Sequence, residues 1–294
     1  MKSLTSKITK TEAKKIDSIY KAFKQKNLKN ESLASFYKTK DLAISIFKNG
    51  TLLLQGEEAA ILNFGKAATK PKKDMKKLSS SLDGTIGMDE VGTGDYFGPV
   101  VTCACYLPNV CIDKVKALRV NDSKKILDSS IRSMAKKLKA FVKCEVCICM
   151  PKTYNAIIKQ FDNSNIVKAI CHNDALTKLT TKVKTNYKVI LDQFVSRGNY
   201  YKYLAKAKVK PVYIDIIEMK AESKYLAVAC ASVIARDAFL TKMEEMSKNI
   251  KCELPRGAVK KAQIVKVGKL ITKKAKLADY AKLHFDDITN SINN

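Results

Sequence analysis

The sequence has no run of 18 apolar residues free of charge, so no segment reads as a membrane span. Its opening stretch, MKSLTSKITKTEAKK, is charged and lacks the apolar centre of a secretory leader. Histidine is scarce. His172 and His284 are the only two, so a Ser/His or Cys/His nucleophile would have to recruit one of them. His172 sits within the helical pattern CHNDAL, where packing or capping is the plainer role. No Gly-x-x-x-x-Gly-Lys-Ser/Thr run is present, which removes a P-loop. Cys144-x-x-Cys147 has no second pair to complete a zinc site, and nine cysteines is an odd number for a disulfide framework. Several lie in apolar runs, VVTCACYL and FVKCEVCICM, and read as buried reduced thiols of a cytoplasmic protein.

Acidic residues are also few. The 294 residues include 55 Lys+Arg against 28 Asp+Glu, a formal charge of +27. Only five of the basic residues are Arg (Arg119, Arg132, Arg197, Arg236, Arg256). Phosphate forks favour Arg, so part of the Lys excess is compositional background. Nucleic acid remains the leading partner class, because distributed Lys neutralises phosphate without reading sequence. A merely solvated basic surface is the alternative. Hydrophobic residues at 46% exclude a disordered basic tail and supply a core.

The pattern along the chain divides into two modules. Residues 9–28 place Ile16, Ile19, Tyr20, Phe23 and Leu28 near one helical face and predict an amphipathic helix. Asn49-Gly50 between LAISIFK and TLLLQ predicts a hairpin with a type I′ turn, which needs positive φ at both central positions. EEAAILNFGKAATK predicts a second helix. Together these give a small α/β module over residues 1–70, followed by a Lys-, Pro- and Ser-rich linker over 71–84. Up to residue 88 the net charge is +10, and the other 206 residues carry +17. The N-terminal module is the more positive per residue, which suits docking.

The larger module, 85–294, opens with TIGMDEVGTGDYFGPVVTCACYL: a strand into Asp89, a Gly-rich turn, and a second strand over about 98–107. DSKKILDSSIRSMAKKLKAF predicts a helix and KCEVCICM a strand. TYNAIIKQF and NIVKAICHNDALTKLTTKV predict helices. YKVILDQF and PVYIDIIEM predict strands, SKYLAVACASVIARDAFLTKMEEM a long helix, and the tail beyond Pro255 is mostly helical. The sum is a mixed sheet covered by helices, an α/β catalytic core.

Four acids fall where structural roles are hard to supply. Asp89 and Glu90 interrupt an apolar strand beside Gly92-Thr93-Gly94; adjacent strand residues face opposite sides, yet both reach one site if the strand ends there. Asp192 closes the apolar run VIL, where it could also be a cap or turn residue. Glu222 precedes the long helix, where a first-turn acid would favour the helix dipole. Gathered carboxylates repel unless a divalent cation neutralises them, and all-oxygen donors suit Mg2+ or Mn2+. An acidic metal site in a basic protein points to phosphodiester chemistry.

These residues together resemble the ribonuclease HIII branch of the type 2 ribonuclease H family. The run Gly87-Met88-Asp89-Glu90-Val91-Gly92-Thr93-Gly94-Asp95-Tyr96-Phe97-Gly98-Pro99 is similar to the family signature. Asp122-Ser123-Lys124-Lys125, His172-Asn173, Leu191-Asp192-Gln193-Phe194, Lys220-Ala221-Glu222-Ser223, AVACASVIARDAFL, LPRGA and Lys282-Leu283-His284-Phe285 follow in family order. IFKNGTLLLQGEEA is similar to the HIII substrate-binding domain. Glu222 and Thr93 favour HIII over the sister HII branch, which has Asp and Arg at those places. The resemblance implies a ribonuclease H-like sheet of five strands and an N-terminal domain resembling the TATA-box-binding protein fold. It implies a metal quartet, Asp89, Glu90, Asp192 and Glu222, holding two Mg2+ or Mn2+ ions. It also implies a monomer that hydrolyses the RNA strand of RNA–DNA hybrids, leaving 5′-phosphate and 3′-hydroxyl ends. Gly92, Thr93 and Gly94 would approach the ribose 2′-OH, with Ser123 and Lys124 as further substrate contacts. HII-like incision at single embedded ribonucleotides, and a non-enzymatic binding protein, remain the alternatives at this stage.

Overall fold

The computed structural model describes residues 3–25, 30–39, 42–56, 82–120 and 127–294. The chain divides into two compact units, residues 1–72 and 73–294. The first contains a four-stranded antiparallel sheet in the order β1-β4-β3-β2, built from β1 Ser3–Lys7, β2 Leu33–Lys38, β3 Leu42–Phe47 and β4 Thr51–Gly56. Helix α1, Lys10–Tyr20, starts at a capping box: the Thr9 hydroxyl accepts from the Glu12 amide and the Glu12 carboxylate accepts from the Thr9 amide. Leu42, Ile44 and Ile46 alternate along β3, Leu52 and Leu54 along β4, and with Ile16 and Tyr37 they form the core.

Three expectations for this unit change. Helix α1 stops at Tyr20 and a 3-10 turn, Lys21–Phe23, follows, because the chain turns to bridge Lys24 with Tyr37. The buried face is therefore only Ala13, Ile16 and Tyr20, while Ile19 is 62% and Phe23 47% exposed. The Asn49-Gly50 hairpin exists, but its loop has three residues, 48–50. Gly50 donates to the Phe47 carbonyl and is the one loop residue with positive φ, +78°. That is a type I turn closed by a left-handed glycine, not the two-residue type I′ geometry. Strands β1 and β2 were not expected, since SLTSK and LASFYK carry little apolar periodicity. Leu28, the second helix over 57–70 and the linker over 71–81 lie outside the described residues.

The second unit holds a five-stranded mixed sheet in the order β7-β6-β5-β8-β9. Its strands are β5 Gly84–Val91, β6 Val100–Pro108, β7 Lys143–Cys149, β8 Tyr187–Asp192 and β9 Ile216–Glu218. Strands β5, β6 and β7 pair antiparallel; β8 and β9 join parallel to β5. Helices α2 Ile112–Ala117, α3 Asp128–Leu138, α4 Pro151–Phe161, α5 Ser164–Lys182, α6 Arg197–Lys206, α7 Leu226–Ile250, α8 Lys261–Thr272 and α9 Asp286–Asn293 complete the unit. Val101, Cys103, Cys105 and Leu107 of β6 join the core with α3 and α7; Ile86, Met88, Ala104 and Tyr106 join the core with α5 and α6. Residues 82–84, expected in the linker, are anchored here: Asp83 pairs its backbone with Asn186 and Asn109.

The strand expected over PVYIDIIEM shortens to Ile216–Glu218. Upstream, side chains take the backbone donors: Val212 N bonds Asn173 Oδ1 (2.8 Å) and Ile214 N bonds the Tyr201 hydroxyl (3.0 Å). Helices α2 and α6 were not expected from the pattern. The helix at DSKK begins only at Asp128, residues 121–126 being outside the description. Among the described residues no helix is long and apolar enough to cross a membrane.

Helix α7 opens with small residues, and the buried residues between Ala227 and Ala235, all but Ser232, let it settle onto the sheet. The contact is closest at Gly87, where a Cβ would stand 2.2 Å from the backbone of both Ala227 and Val228. Gly87→Ala therefore must push α7 off β5, and is expected to destabilise by about 2–4 kcal/mol. Gly94, where a Cβ meets nothing within 4 Å, is the control: Gly94→Ala is expected to change stability by less than about 0.5 kcal/mol. Urea unfolding of the two variants checks both values.

Candidate active site

The parallel register of β5 and β8 builds the site. Met88 stands beside Leu191, so Asp89 and Asp192 end up adjacent at the carboxyl ends of neighbouring strands. Alternation turns Asp89 toward α7 and Glu90 toward α5. The two acids thus reach one cleft from opposite faces of one strand, although the strand runs on to Val91. A cleft of about 310 Å3 is lined by Asp89, Glu90, Val91, Thr93, Asp192, Ser232 and Arg236. A second cleft, about 400 Å3, lies at Ile158, Asp162, Asn163, Ser164, His284 and Asp286 and holds none of the four acids.

Each acid has its own support. Asp89 is 7% exposed; its Oδ1 accepts from the Glu90 amide at 2.8 Å and its carboxyl bonds the Ser232 side chain. Burial above all, then the neighbouring charges of Glu90 and Asp192, raise its pKa to about 7 against the pull of those hydrogen bonds. Glu90 is clamped by two residues one turn apart on α5: His172 Nε2 donates to Oε2 at 2.8 Å, and Lys168 Nζ lies 3.7 Å from Oε1. Phe194, two residues past Asp192, stacks on the His172 ring (5.4 Å, 14°) and lies under Lys168 Nζ (4.5 Å). Burial holds the Lys168 pKa below its usual value, partly offset by Glu90.

Asp192 Oδ1 accepts from the Ala221 amide at 2.8 Å. Ala221 begins a 3-10 turn, Ala221–Ser223, that carries Glu222, which is 7% exposed. Glu222 is therefore not a first-turn acid of α7, which starts at Leu226. It is not among the residues lining the cleft, but sits next to the amide that fixes Asp192. Among the described residues no three His, Cys, Asp or Glu side chains form a closed metal site. Asp89, Glu90 and Asp192 line one cleft, a set of oxygen donors whose mutual repulsion a divalent cation would relieve.

The three turn residues differ. Gly92 is buried with φ +84°, and a Cβ there would stand 2.3 Å from the Pro99 carbonyl oxygen. The fold by itself requires glycine there. Thr93 and Gly94 are exposed, and Thr93 lines the cleft. Ser123 and Lys124 lie outside the described residues.

Arg236 also lines the cleft, with Nε and Nη2 on Asp128 Oδ1 at 3.1 and 2.6 Å. Sequence reasoning missed Lys168, Ser232 and Arg236, and placed His172 in a packing role. The available signal was the i, i+4 spacing of Lys168 and His172, which aims both at one neighbour.

A family model for ribonuclease HII matches residues 86–288. The chain is 36% identical over 264 residues to ribonuclease HIII of Bacillus mycoides, covering 84% of each chain. The chain belongs to the ribonuclease HIII family. It is thus a ribonuclease H, of a family whose members are endonucleases that cleave RNA within RNA–DNA hybrids. Among solved structures it resembles Bst-RNase HIII in complex with Mn2+ at TM-score 0.67 and 28% identity, covering 99% of this chain and 98% of that one. The fold also matches ribonuclease H2 from Pyrococcus horikoshii at TM-score 0.55 and 20% identity, but over only 71% of this chain.

The raised Asp89 pKa has a thermodynamic consequence. Between the ordinary 3.8 and about 7 the folded protein keeps a proton that the unfolded chain has lost. Metal-free stability therefore falls as pH rises through that window. Asp89→Asn, which cannot ionise, is expected to be more stable than wild type at pH 7.5 in EDTA, by up to ~4 kcal/mol. At pH 4 the gap closes. Thermal unfolding at both pH values checks the sign, and a less stable Asn variant at pH 7.5 contradicts it.

Proposed function

We propose that this cleft hydrolyses phosphodiester bonds of the RNA strand in RNA–DNA hybrids with divalent cations, Mg2+ or Mn2+. The observation that carries the reading is the convergence of Asp89, Glu90 and Asp192 on one cleft, with the Asp89 carboxyl raised by burial and by its acidic neighbours. The donors are all carboxylate oxygens, the chemistry that hard cations take. Asp89, Glu90 and Asp192 would hold the metal, and Glu222 joins them from the turn beside Asp192. Two such cations, when bound, would supply Lewis-acid stabilisation of the charge that develops in phosphodiester hydrolysis, and the products would carry 5′-phosphate and 3′-hydroxyl ends.

The chain's own residues do the rest. The Ser232 side chain, the Ala221 amide and the Lys168–His172 pair orient the carboxylates, so little rearrangement is needed when charge develops. Thr93 and Gly94 are exposed; Thr93 lines the cleft, and a Cβ at Gly94 would meet nothing within 4 Å. The open space over Gly94 lets backbone approach the ribose, and the Thr93 hydroxyl offers a partner to the 2′-OH, the atom that separates RNA from DNA. Arg236 places a positive charge beside the acids, suited to a backbone phosphate. Residues 1–70 act as the substrate-binding domain, in the manner of the TATA-box-binding protein fold, with a linker that ends before the anchored residues 82–84. Their net basic charge favours phosphate contact, and salt weakens such binding. The protein works as a monomer in the cytoplasm.

Asp89→Asn and Asp192→Asn are each expected to lower hybrid cleavage at least 10³-fold while hybrid affinity changes less than about threefold. Cleavage and filter binding measured side by side check this; no wild-type cleavage with either metal ends the enzyme reading. The substrate comparison is a continuous hybrid against a duplex with one embedded ribonucleotide. A strong preference for the second overturns the assignment of hybrid cleavage. Deleting residues 1–80 is expected to weaken hybrid affinity tenfold or more with a single-turnover rate within about threefold of wild type. Unchanged affinity removes the docking role.

A further inference from the structure

Lys282 belongs to the motif Lys282-Leu283-His284-Phe285, which has no role in the site described above. It is fully buried. Its Nζ donates to the Gly98 carbonyl at 2.8 Å and lies 3.5 Å from the Phe97 carbonyl. The Tyr154 ring lies 5.9 Å away. Burial lowers the Lys282 pKa to about 8, with Asp95 and Cys149 acting the other way. An ammonium taken wholly out of water is unfavourable unless its hydrogen bonds are met. Methionine would fill similar space without that desolvation. The ammonium is therefore explained by the two carbonyls it serves.

Those carbonyls end the loop that follows Glu90. Around them the C-terminal segment forms a clasp: Lys282 N donates to Tyr96 O (2.8 Å), Gly98 N donates to Tyr280 O (2.9 Å), and Phe97 bridges Ala281. Asn155 on α4 holds the clasp from behind, donating to the Ala278 and Ala281 carbonyls and accepting from Leu283 N. The loop start is pinned where Gly92 meets Pro99 and Phe239, and its middle where Asp95 Oδ1 accepts from Gly257 N at 2.5 Å. Between these anchors only Thr93 and Gly94 stand exposed.

We propose that Lys282 is a positioning residue for hybrid cleavage: by holding the Phe97 and Gly98 carbonyls it fixes where Thr93 and Gly94 stand relative to the acids. This rests on the reading of Thr93 and Gly94 as the turn that meets the ribose. The Lys282 ammonium bonds loop carbonyls and none of the four acids, so it acts through the loop.

The test uses the full chain and four variants: Lys282→Met, Lys282→Gln, Gly94→Ala and the Lys282→Met/Gly94→Ala double variant. The readouts are kcat/KM on a continuous hybrid and Mn2+ affinity by calorimetry. Lys282→Met is expected to lower kcat/KM about tenfold with Mn2+ affinity within about twofold of wild type, a separation that general unfolding would not give. Gly94→Ala is expected to lower kcat/KM about tenfold in the wild type but less than about twofold in the Lys282→Met background, because both changes disturb one turn. Lys282→Gln, one atom shorter and able to serve one carbonyl, is expected to fall between, and it carries the test if the Met variant does not fold. Wild-type kcat/KM in the folded Met variant, or in the Gln variant standing in for it, overturns the proposal. So does full additivity with Gly94→Ala. A harmless Gly94→Ala removes the reading of the turn and this proposal with it; a harmful Gly94→Ala with a harmless Lys282→Met removes this proposal alone.

Discussion

Helix α7 lies so close on strand β5 that a methyl group at Gly87 would overlap the backbone of Ala227 and Val228. One step further along the same face of β5 comes Asp89. The close approach strips Asp89 of water and brings Ser232 to it, and the missing water is the main reason its carboxyl resists ionisation. A looser helix would leave Asp89 an ordinary solvated acid. The small residues at the start of α7, the glycine at 87 and the perturbed carboxyl are thus one constraint seen at three positions. The parallel register of β8 then adds Asp192 to the same place without any further device.

The electrostatics follow from that geometry. A chain of formal charge +27 directs three acids into one cleft. The basic residues near it are mostly engaged in holding things still: Lys168 on Glu90, Arg236 and Arg256 on Asp128, Lys282 on backbone carbonyls. The cleft therefore keeps a net demand for cation while the wider surface keeps its attraction for phosphate. These two tendencies would oppose each other if mixed; burial and hydrogen bonding separate them.

Much of this was legible in the sequence, and the failures have identifiable causes. The strand into Asp89 and the apolar run ending at Asp192 read correctly because strands buried on both faces are continuous and short. The N-terminal helix was overextended because Ile19 and Phe23 fit a helical stripe, whereas the chain leaves the helix at Tyr20 for a bridge that spacing does not encode. The strand at PVYIDIIEM was too long because Asn173 and Tyr201, from helices elsewhere, take the backbone donors that a strand partner would have used. His172 looked like packing and is fully buried, yet its Nε2 reaches Glu90, a distinction that depends on a contact 82 positions away.

Taken alone, the sequence determined which residues are available for chemistry. It marked the acids by their intrusion into apolar strands, and it showed the scarcity of histidines and the lack of a P-loop that narrow the alternatives. Composition and local period carry that information because they concern each segment and its own side chains. Tertiary structure decided how those acids behave. The burial of Asp89 under α7, the seat of Glu222 on a 3-10 turn rather than a helix start, and the choice of Gly94 over Gly92 as the open position all depend on what another segment places nearby. Desolvation and steric exclusion are properties of a neighbourhood, and the neighbourhood exists only once distant segments have packed.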